Sequence, residues 1–173
     1  MGRVCILTGR RGVGKTTVCR QTIALARAQG VTCGGILTRR YDGIREVHDV
    51  STGDVRSLTW GPTGEPAVVQ GRFRFDPEAF RWANRVLSRA GPCDLLVIDE
   101  IGALELERGQ GWVTAFKVLR DGAYKSALVV VRPELVACAQ LRLPGTTSQV
   151  LTATRENRES LPTVVIEMLN REA

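Results

Sequence analysis

Histidine and lysine are scarce in this chain. That His48 is the only histidine argues against a histidine-based zinc site or a Ser-His-Asp triad. Aromatic residues make up only 5% of the sequence, and no basic run is interleaved with them, as nucleic-acid binding would favour. No apolar run approaches the ~20 residues of a membrane span, so no membrane partner is expected. The chain enters an apolar segment at Val4, so no signal peptide is expected either. The five cysteines, Cys5, Cys19, Cys33, Cys93 and Cys138, are odd in number and lack metal-type pairing. They read as reduced, mostly buried thiols of a cytoplasmic protein. No internal repeat or low-complexity segment breaks the 173 residues, which are expected to form one domain over 1–173, with a monomer the favoured state.

Against these absences stands an excess of arginine: twenty-one, beside three lysines, in a chain of net charge +6. The arginines are spread along the whole length, with Arg39-Arg40 and Arg72-Phe73-Arg74 the densest spots outside the first loop. A solvated, arginine-rich surface with some pull on triphosphates is the leading reading, and a nucleic-acid partner is not favoured.

In an arginine-preferring chain, Lys15 stands inside "GRRGVGKTT". Gly9, Gly12, Gly14, Lys15 and Thr16 fit G-x-x-x-x-G-K-[ST], the phosphate-cradling loop called Walker A. Glycines let the backbone bring its N–H groups close to phosphate oxygens. Lysine is a compact charge on a slender stem that can lie along the β- and γ-phosphates. Thr16 offers a hydroxyl to Mg²⁺. The candidate nucleotide site is therefore Gly9, Arg10, Arg11, Gly12, Val13, Gly14, Lys15, Thr16 and Thr17. The flanks agree: Val4 to Leu7 is a short apolar run suited to a buried parallel strand, and Val18, Thr22, Leu25 and Ala26 recur at helical spacing up to a stop at Gly30. A helix start after the loop adds its unpaired N–H groups to the anion site.

Further along, Gly34 to Leu37 reads as a strand. Glu46 to Val50 and Val55 to Thr59 flank Ser51-Thr52-Gly53-Asp54 as a β-hairpin. Gly61 to Pro66 is a loop. Asp76 and Pro77 are the cap and first residue of a helix closed by Gly91. Leu95 to Ile98 and Ala127 to Val131 are buried strands. A helix is expected over Gly111 to Arg120, another from near Pro133, a last strand over Gln149 to Thr152, and a closing helix marked by Leu161, Val165, Met168 and Leu169. Alternating strands and helices predict a mostly parallel sheet with helices on both faces, whose ligands sit at the carboxyl ends of strands.

That rule gives weight to "LLVIDEIG". Asp99 and Glu100 end a buried strand, where a Walker B carboxylate belongs. Asp99 would hold Mg²⁺ directly or through water, together with Thr16. Glu100 would orient and deprotonate the water that attacks the γ-phosphorus; Glu100 and Lys15 are the candidate catalytic residues. Ile101 and Gly102 follow Glu100 in the chain. The distance from Lys15 to Asp99 leaves room for an intervening strand, as in the branch of P-loop enzymes that use such a glutamate.

The loop, then "GGILTRR", the hairpin "EVHDVSTGDVRSL", "VIDEIGALEL" and the tail "LTATRENRESL" occur in the order of the small P-loop nucleoside-triphosphatases described from thermophiles, a family whose animal member is the cancer-related nucleoside-triphosphatase. The chain resembles that family over nearly its whole length. The resemblance implies an α/β, RecA-like P-loop NTPase fold with a β-hairpin insertion. It also implies slow Mg²⁺-dependent hydrolysis of several nucleoside triphosphates to diphosphate and phosphate. By the same resemblance the Walker B segment runs from Ile98 to Leu104, and only through it do Ile101 and Gly102 become candidate nucleotide-binding residues. Glu105 also matches, with a structural cap as open as a site role, and the paired Asn157 and Arg158 are candidate phosphate contacts. Whether Arg155 and Arg158 face the nucleotide or a surface ion pair stays open.

The chain departs from the family at Arg10 and Arg11, where a small residue or proline is common. Steering charges in solvent are the expected role there, with an arginine finger in cis the sharper alternative. The guanine-reading N-K-x-D motif is absent, so base discrimination is expected to be weak among ATP, GTP and other triphosphates. Hydrolysis leads. A nucleotide or small-molecule kinase on the same scaffold, and a nucleotide-dependent switch acting on a protein or RNA, are the alternatives.

Overall fold

In the first strand, Val4 and Ile6 fall on one side and Cys5 and Leu7 on the other, and all four are buried. A strand apolar on both faces belongs in the middle of a sheet covered on both sides. A computed structural model, describing residues 2–41, 43–61, 65–143 and 148–170, has that architecture. The first half runs β1 (Arg3–Thr8), α1 (Lys15–Ala28), β2 (Cys33–Tyr41), β3 (Ile44–Asp49), β4 (Val55–Ser57), β5 (Val68–Gln70), β6 (Phe73–Phe75) and α2 (Pro77–Ser88). It continues with β7 (Cys93–Ile101), α3 (Ala103–Glu107), α4 (Ala115–Asp121), β8 (Tyr124–Val131), a 3-10 turn (Pro133–Leu135), α5 (Val136–Leu141), β9 (Ser148–Thr152) and α6 (Leu161–Asn170).

Seven strands form one sheet in the order β4-β3-β2-β7-β8-β1-β9, while β5 and β6 pair separately. From β2 to β9 all neighbours are parallel; β3 and β4 extend the β2 edge as antiparallel strands. The expected α/β sheet, mostly parallel with a hairpin, is thus borne out, and β8 lies between β1 and β7. The intervening strand comes after Asp99 in the chain, so the separation of Lys15 and Asp99 in sequence is taken up by β2 to β6 and α2 instead.

Two apolar layers cover the sheet. One packs Val4, Ile6, Leu96, Ile98 and Val129 against α2, α3 and α4 through Phe80, Leu87, Leu104, Phe116 and Leu119. The other packs Cys5, Leu7, Leu95, Val97, Leu128 and Val130 against α1 and α6 through Val18, Ile23, Leu161 and Val165. Each fully buried Leu or Ile adds roughly 1.5–3 kcal/mol relative to exposure, which holds both helical layers to the backbone that carries the site.

Several boundaries differ from the sequence reading. The helix expected from Gly111 begins at Ala115, because Gly111 has φ +72° and the Trp112 N–H is bonded to Glu105 Oε1. Asp76 does cap α2, its carboxylate accepting the Glu78 N–H at 2.9 Å. That helix stops at Ser88, before Gly91, as the Arg89 and Ala90 N–H groups turn back to Val86 and Leu87. The strand after Asp54 ends at Ser57. Past β8 the chain makes a 3-10 turn at Pro133 before α5. Of the expected loop 61–66, residues 62–64 lie outside the described residues.

Candidate functional site

The loop between β1 and α1 is shaped by backbone that only glycine adopts readily. Gly9 has φ +139° and Gly14 φ +108°. A Cβ on Gly9 would press on the Ala153 carbonyl oxygen, and one on Gly14 would meet Arg158 Cδ at 3.3 Å. Gly14 also opens α1 with no side-chain cap and no acidic residue in the first turn. The first N–H groups of a helix have no partner within it. Left uncapped and aligned with the helix dipole, they form an anion site. Lys15 Nζ folds over this opening and donates to Gly9 O at 2.7 Å and Arg10 O at 3.1 Å. Arg10, Arg11 and Thr17 are exposed, and Val13 is anchored in the α1–α6 layer.

Asp99 comes to the same place from β7. It is buried, and Thr38 Oγ1 donates to its Oδ2 at 3.2 Å; the Thr16 side chain also favours its charged form. Burial pushes its carboxyl up from 3.8 to about 6; the hydroxyls of Thr16 and Thr38 oppose the rise and the Glu100 charge adds to it. Among the described residues no cation pairs with Asp99. A buried carboxylate with no cation beside it is short of positive charge, and the Asp99 and Thr16 oxygens are hard donors that fit Mg²⁺, which binds through one or two protein groups and keeps its waters.

Glu100 is partly exposed beside Asp99, and Arg132 Nε donates to its Oε1 at 2.6 Å. Its main chain is held by Trp112, whose indole Nε1 donates to Glu100 O at 2.9 Å. Ile101 is buried and ends β7, and Gly102 starts α3. Glu105 is not in the nucleotide opening. Its Oε2 accepts the Gly102 N–H at 2.8 Å and its Oε1 accepts the Trp112 N–H at 2.9 Å. This buried carboxylate closes the α3 capping box and ties the end of β7 to the segment before α4. Burial raises its pKa above the ordinary 4.5, against the backbone N–H groups of Trp112, Gly102 and Glu105 itself, which favour the charge.

The tail residues divide. Asn157 is spent on its own turn, donating Nδ2 to Thr152 O at 2.9 Å and accepting the Thr154 N–H at 2.8 Å. That turn delivers Arg158 to the loop, where Nη1 reaches Val13 O at 3.5 Å. Arg155 is exposed. Loop, Asp99, Glu100 and Arg158 are therefore brought together, while Asn157 and Glu105 act on the backbone behind them.

Three residues escaped the sequence reading: Thr38, Trp112 and Arg132. Thr38 and Arg132 share a signal, since each is the first strongly polar residue after the apolar run of a parallel strand. The surroundings are electropositive. The Arg45 guanidinium stacks over the Phe73 ring at 3.9 Å. Its pKa is lowered by burial first and then by Arg40 and Arg11, with Arg132 adding to the same effect and Glu100 opposing it.

The sequence profile of a family described as NTPase matches residues 4–166. A nucleoside-triphosphatase THEP1 of Hyperthermus butylicus is 34% identical over 176 residues, covering 96% of this chain and 90% of the relative. One from Methanosarcina acetivorans is 34% identical over 162 residues, covering 90% of each. The solution structure of a human cancer-related nucleoside triphosphatase is similar with a TM-score of 0.73 at 26% identity, over 99% of this chain and 100% of that one. The crystal structure of THEP1 from Aquifex aeolicus has a TM-score of 0.72 at 22% identity, over 97% and 99%, and speaks for the fold.

Proposed function

This chain belongs to the NTPase family, and from that premise we propose that it hydrolyses nucleoside 5'-triphosphates to the diphosphate and phosphate, with Mg²⁺ and little regard for the base. The observation that carries the reading is the pairing of the buried Asp99 carboxylate with the Thr16 side chain, which favours its charged form. It joins the phosphate loop to the Walker B strand at the point where a metal ion would sit. Thr16 and Asp99 would hold Mg²⁺, which when bound neutralises charge on the β- and γ-phosphates.

The chain's own groups do the rest. The N–H groups of the loop and the start of α1 cradle the phosphates. Lys15 exchanges the carbonyls of Gly9 and Arg10 for oxygens of the β- and γ-phosphates. Glu100, with Oε1 bonded to Arg132, has Oε2 to orient a water. The water oxygen forms a bond to the γ-phosphorus as the bond from that phosphorus to the β–γ bridging oxygen breaks. The electron pair of the broken bond leaves on the diphosphate, and the water proton passes to Glu100 on its way to the products. The N-terminal charge of α1 and the arginines near Glu100 favour an anionic substrate.

Phosphate release from ATP, GTP, CTP and UTP, with and without Mg²⁺ and with no added acceptor, tests the reading. All four should be hydrolysed, with kcat/KM within about tenfold, or ~1.4 kcal/mol. Release only with an added acceptor would favour a kinase, and a thousandfold base preference would mean a base pocket outside the site described. We also propose a cytoplasmic monomer of one domain; separately, among the described residues no helix is long and apolar enough to cross a membrane.

A further inference from the structure

Arg132 follows β8 directly and occupies the gap between the two halves of the site. On one side, Leu7 pairs with Val130, so two positions on, Gly9 and Arg132 fall level: the first loop glycine beside the arginine. On the other side, Val131 pairs with Ile101, so Arg132 falls level with Gly102, and its side chain reaches back to the Glu100 carboxylate. Its backbone is fixed there. Pro133 cannot extend the strand, it favours the extended conformation that Arg132 adopts at φ −67° and ψ 148°, and the Leu135 N–H bonds back to Arg132 O at 3.0 Å. The backbone of Glu100 is pinned by Trp112. Two anchored main chains thus present their side chains to each other, and the contact of 2.6 Å is the result.

The way the guanidinium is used matters. Glu100 takes the Nε–H, and among the described residues Nη1 and Nη2 donate to no protein acceptor. A guanidinium offers a planar fork of donors that suits two oxygens of a phosphoryl group, and it can serve one anion with Nε and another with the Nη pair. An arginine placed only to neutralise Glu100 would have no reason to sit level with the phosphate loop. Neither Arg10 nor Arg11, both exposed, is held against Glu100 in this way.

We propose that Arg132 bridges Glu100 and the terminal phosphate of a bound nucleoside triphosphate, keeping Nε on Glu100 Oε1 and placing its Nη groups on γ-phosphate oxygens. It thereby acts as the chain's arginine in cis and as the residue that tells a triphosphate from a diphosphate. The inference rests on the hydrolase reading above for its catalytic half and on binding alone for its discriminating half. With a diphosphate bound, the Nη donors have no phosphate partner. With a triphosphate bound, one side chain fixes the γ-phosphate and the water-orienting carboxylate relative to each other.

The test measures binding of an imido-bridged, non-hydrolysable triphosphate and of the diphosphate of the same base, both with Mg²⁺, and turnover of the natural triphosphate, in wild type, Arg132→Ala and Arg132→Lys. Both partners of the ion pair are partly exposed, so the alanine variant is expected to fold; if it does not, Arg132→Lys and Arg132→Gln carry the test. In Arg132→Ala the preference for triphosphate over diphosphate should fall at least about tenfold with diphosphate affinity unchanged. Turnover should fall at least about 10²-fold, towards the 10³–10⁵ of an arginine finger. Lysine keeps the charge but cannot bridge, and should recover part of the affinity ratio with little of the turnover. An unchanged affinity ratio overturns the proposal whatever happens to turnover, because Arg132 then serves Glu100 alone. A lost ratio with turnover within threefold of wild type overturns its catalytic half. If wild type releases no phosphate from any triphosphate, the hydrolase reading fails while the affinity ratio still decides on Arg132.

Discussion

Glu105 is a buried carboxylate whose two oxygens are both committed to backbone N–H groups, those of Gly102 and Trp112. Replacing it by alanine leaves two buried donors without an acceptor. Each unmet buried donor costs about 1–3 kcal/mol, and removal of a charge that was itself costly to bury returns part of that sum. The expected loss is therefore about 2–4 kcal/mol. For a chain of 173 residues this corresponds to a fall in melting temperature of roughly 5–15 °C. Glu105→Gln keeps one acceptor but turns an NH₂ group towards the other N–H, so it should lose about 1–3 kcal/mol. Urea unfolding at neutral pH, read by Trp fluorescence and by circular dichroism, measures both.

The same group sets a pH signature. Burial raises the Glu105 pKa above the 4.5 of an ordinary glutamate. In the window just above 4.5 the folded chain therefore binds more protons than the unfolded chain. Stability falls as pH rises through that window, and Glu105→Ala should lack this component of the slope. A Glu105→Ala protein within about 0.5 kcal/mol of wild type, the range of an ordinary surface change, would refute the reasoning that this carboxylate pins the end of β7.

Glu100→Gln should still bind triphosphate with Mg²⁺ while turnover falls about 10²–10⁴-fold, whereas Lys15→Ala should weaken binding and turnover together; near-normal turnover in Glu100→Gln would remove Glu100 from the mechanism. Arg10→Ala and Arg11→Ala, made singly, should raise KM a few-fold with kcat nearly unchanged, and moderate salt should mostly erase the difference. A kcat drop beyond about a hundredfold that persists in salt would make that arginine catalytic. Cys5 and Cys19 are both buried, and burial pushes the Cys5 thiol up to about 12 and raises Cys19 well above its ordinary value. An aromatic disulfide reagent at neutral pH should modify these two only in denaturant; prompt labelling of either in the native protein would contradict their burial.

The loop, the start of α1 and the strand before Asp99 were legible in the sequence because each depends on neighbours a few residues away. The same holds for the Asp76 cap of α2 and the Ser51-Thr52-Gly53-Asp54 hairpin. What the sequence concealed depends on partners far along the chain. Arg132 and Glu100 are 32 residues apart, and no local pattern announces their pairing. The Glu105–Trp112 bond delays α4 to Ala115, overriding the helical spacing that starts at Gly111. The β5–β6 hairpin escaped because its strands have three residues each, too short for alternation to register. Asn157 and Arg158 read alike as a polar pair, yet the turn over Thr152 to Asn157 directs one inward on its own backbone and the other onto the loop.

The strand β8 between β1 and β7 works as a gauge block. Neighbouring strands lie about 4.8 Å apart, so the end of the phosphate loop strand and the end of the carboxylate strand are held roughly 9–10 Å from each other. That separation is the span across which the loop and Asp99 would share a bound phosphoryl group. Because it is fixed by main-chain hydrogen bonding on both sides of one shared strand, side-chain replacements cannot close it. Shortening Glu100 by a single carbon, to aspartate, would leave a shortfall of reach that the sheet has no means to make good. The tolerance of the site is set by backbone spacing, and the length of each side chain that spans the gap is thereby dictated.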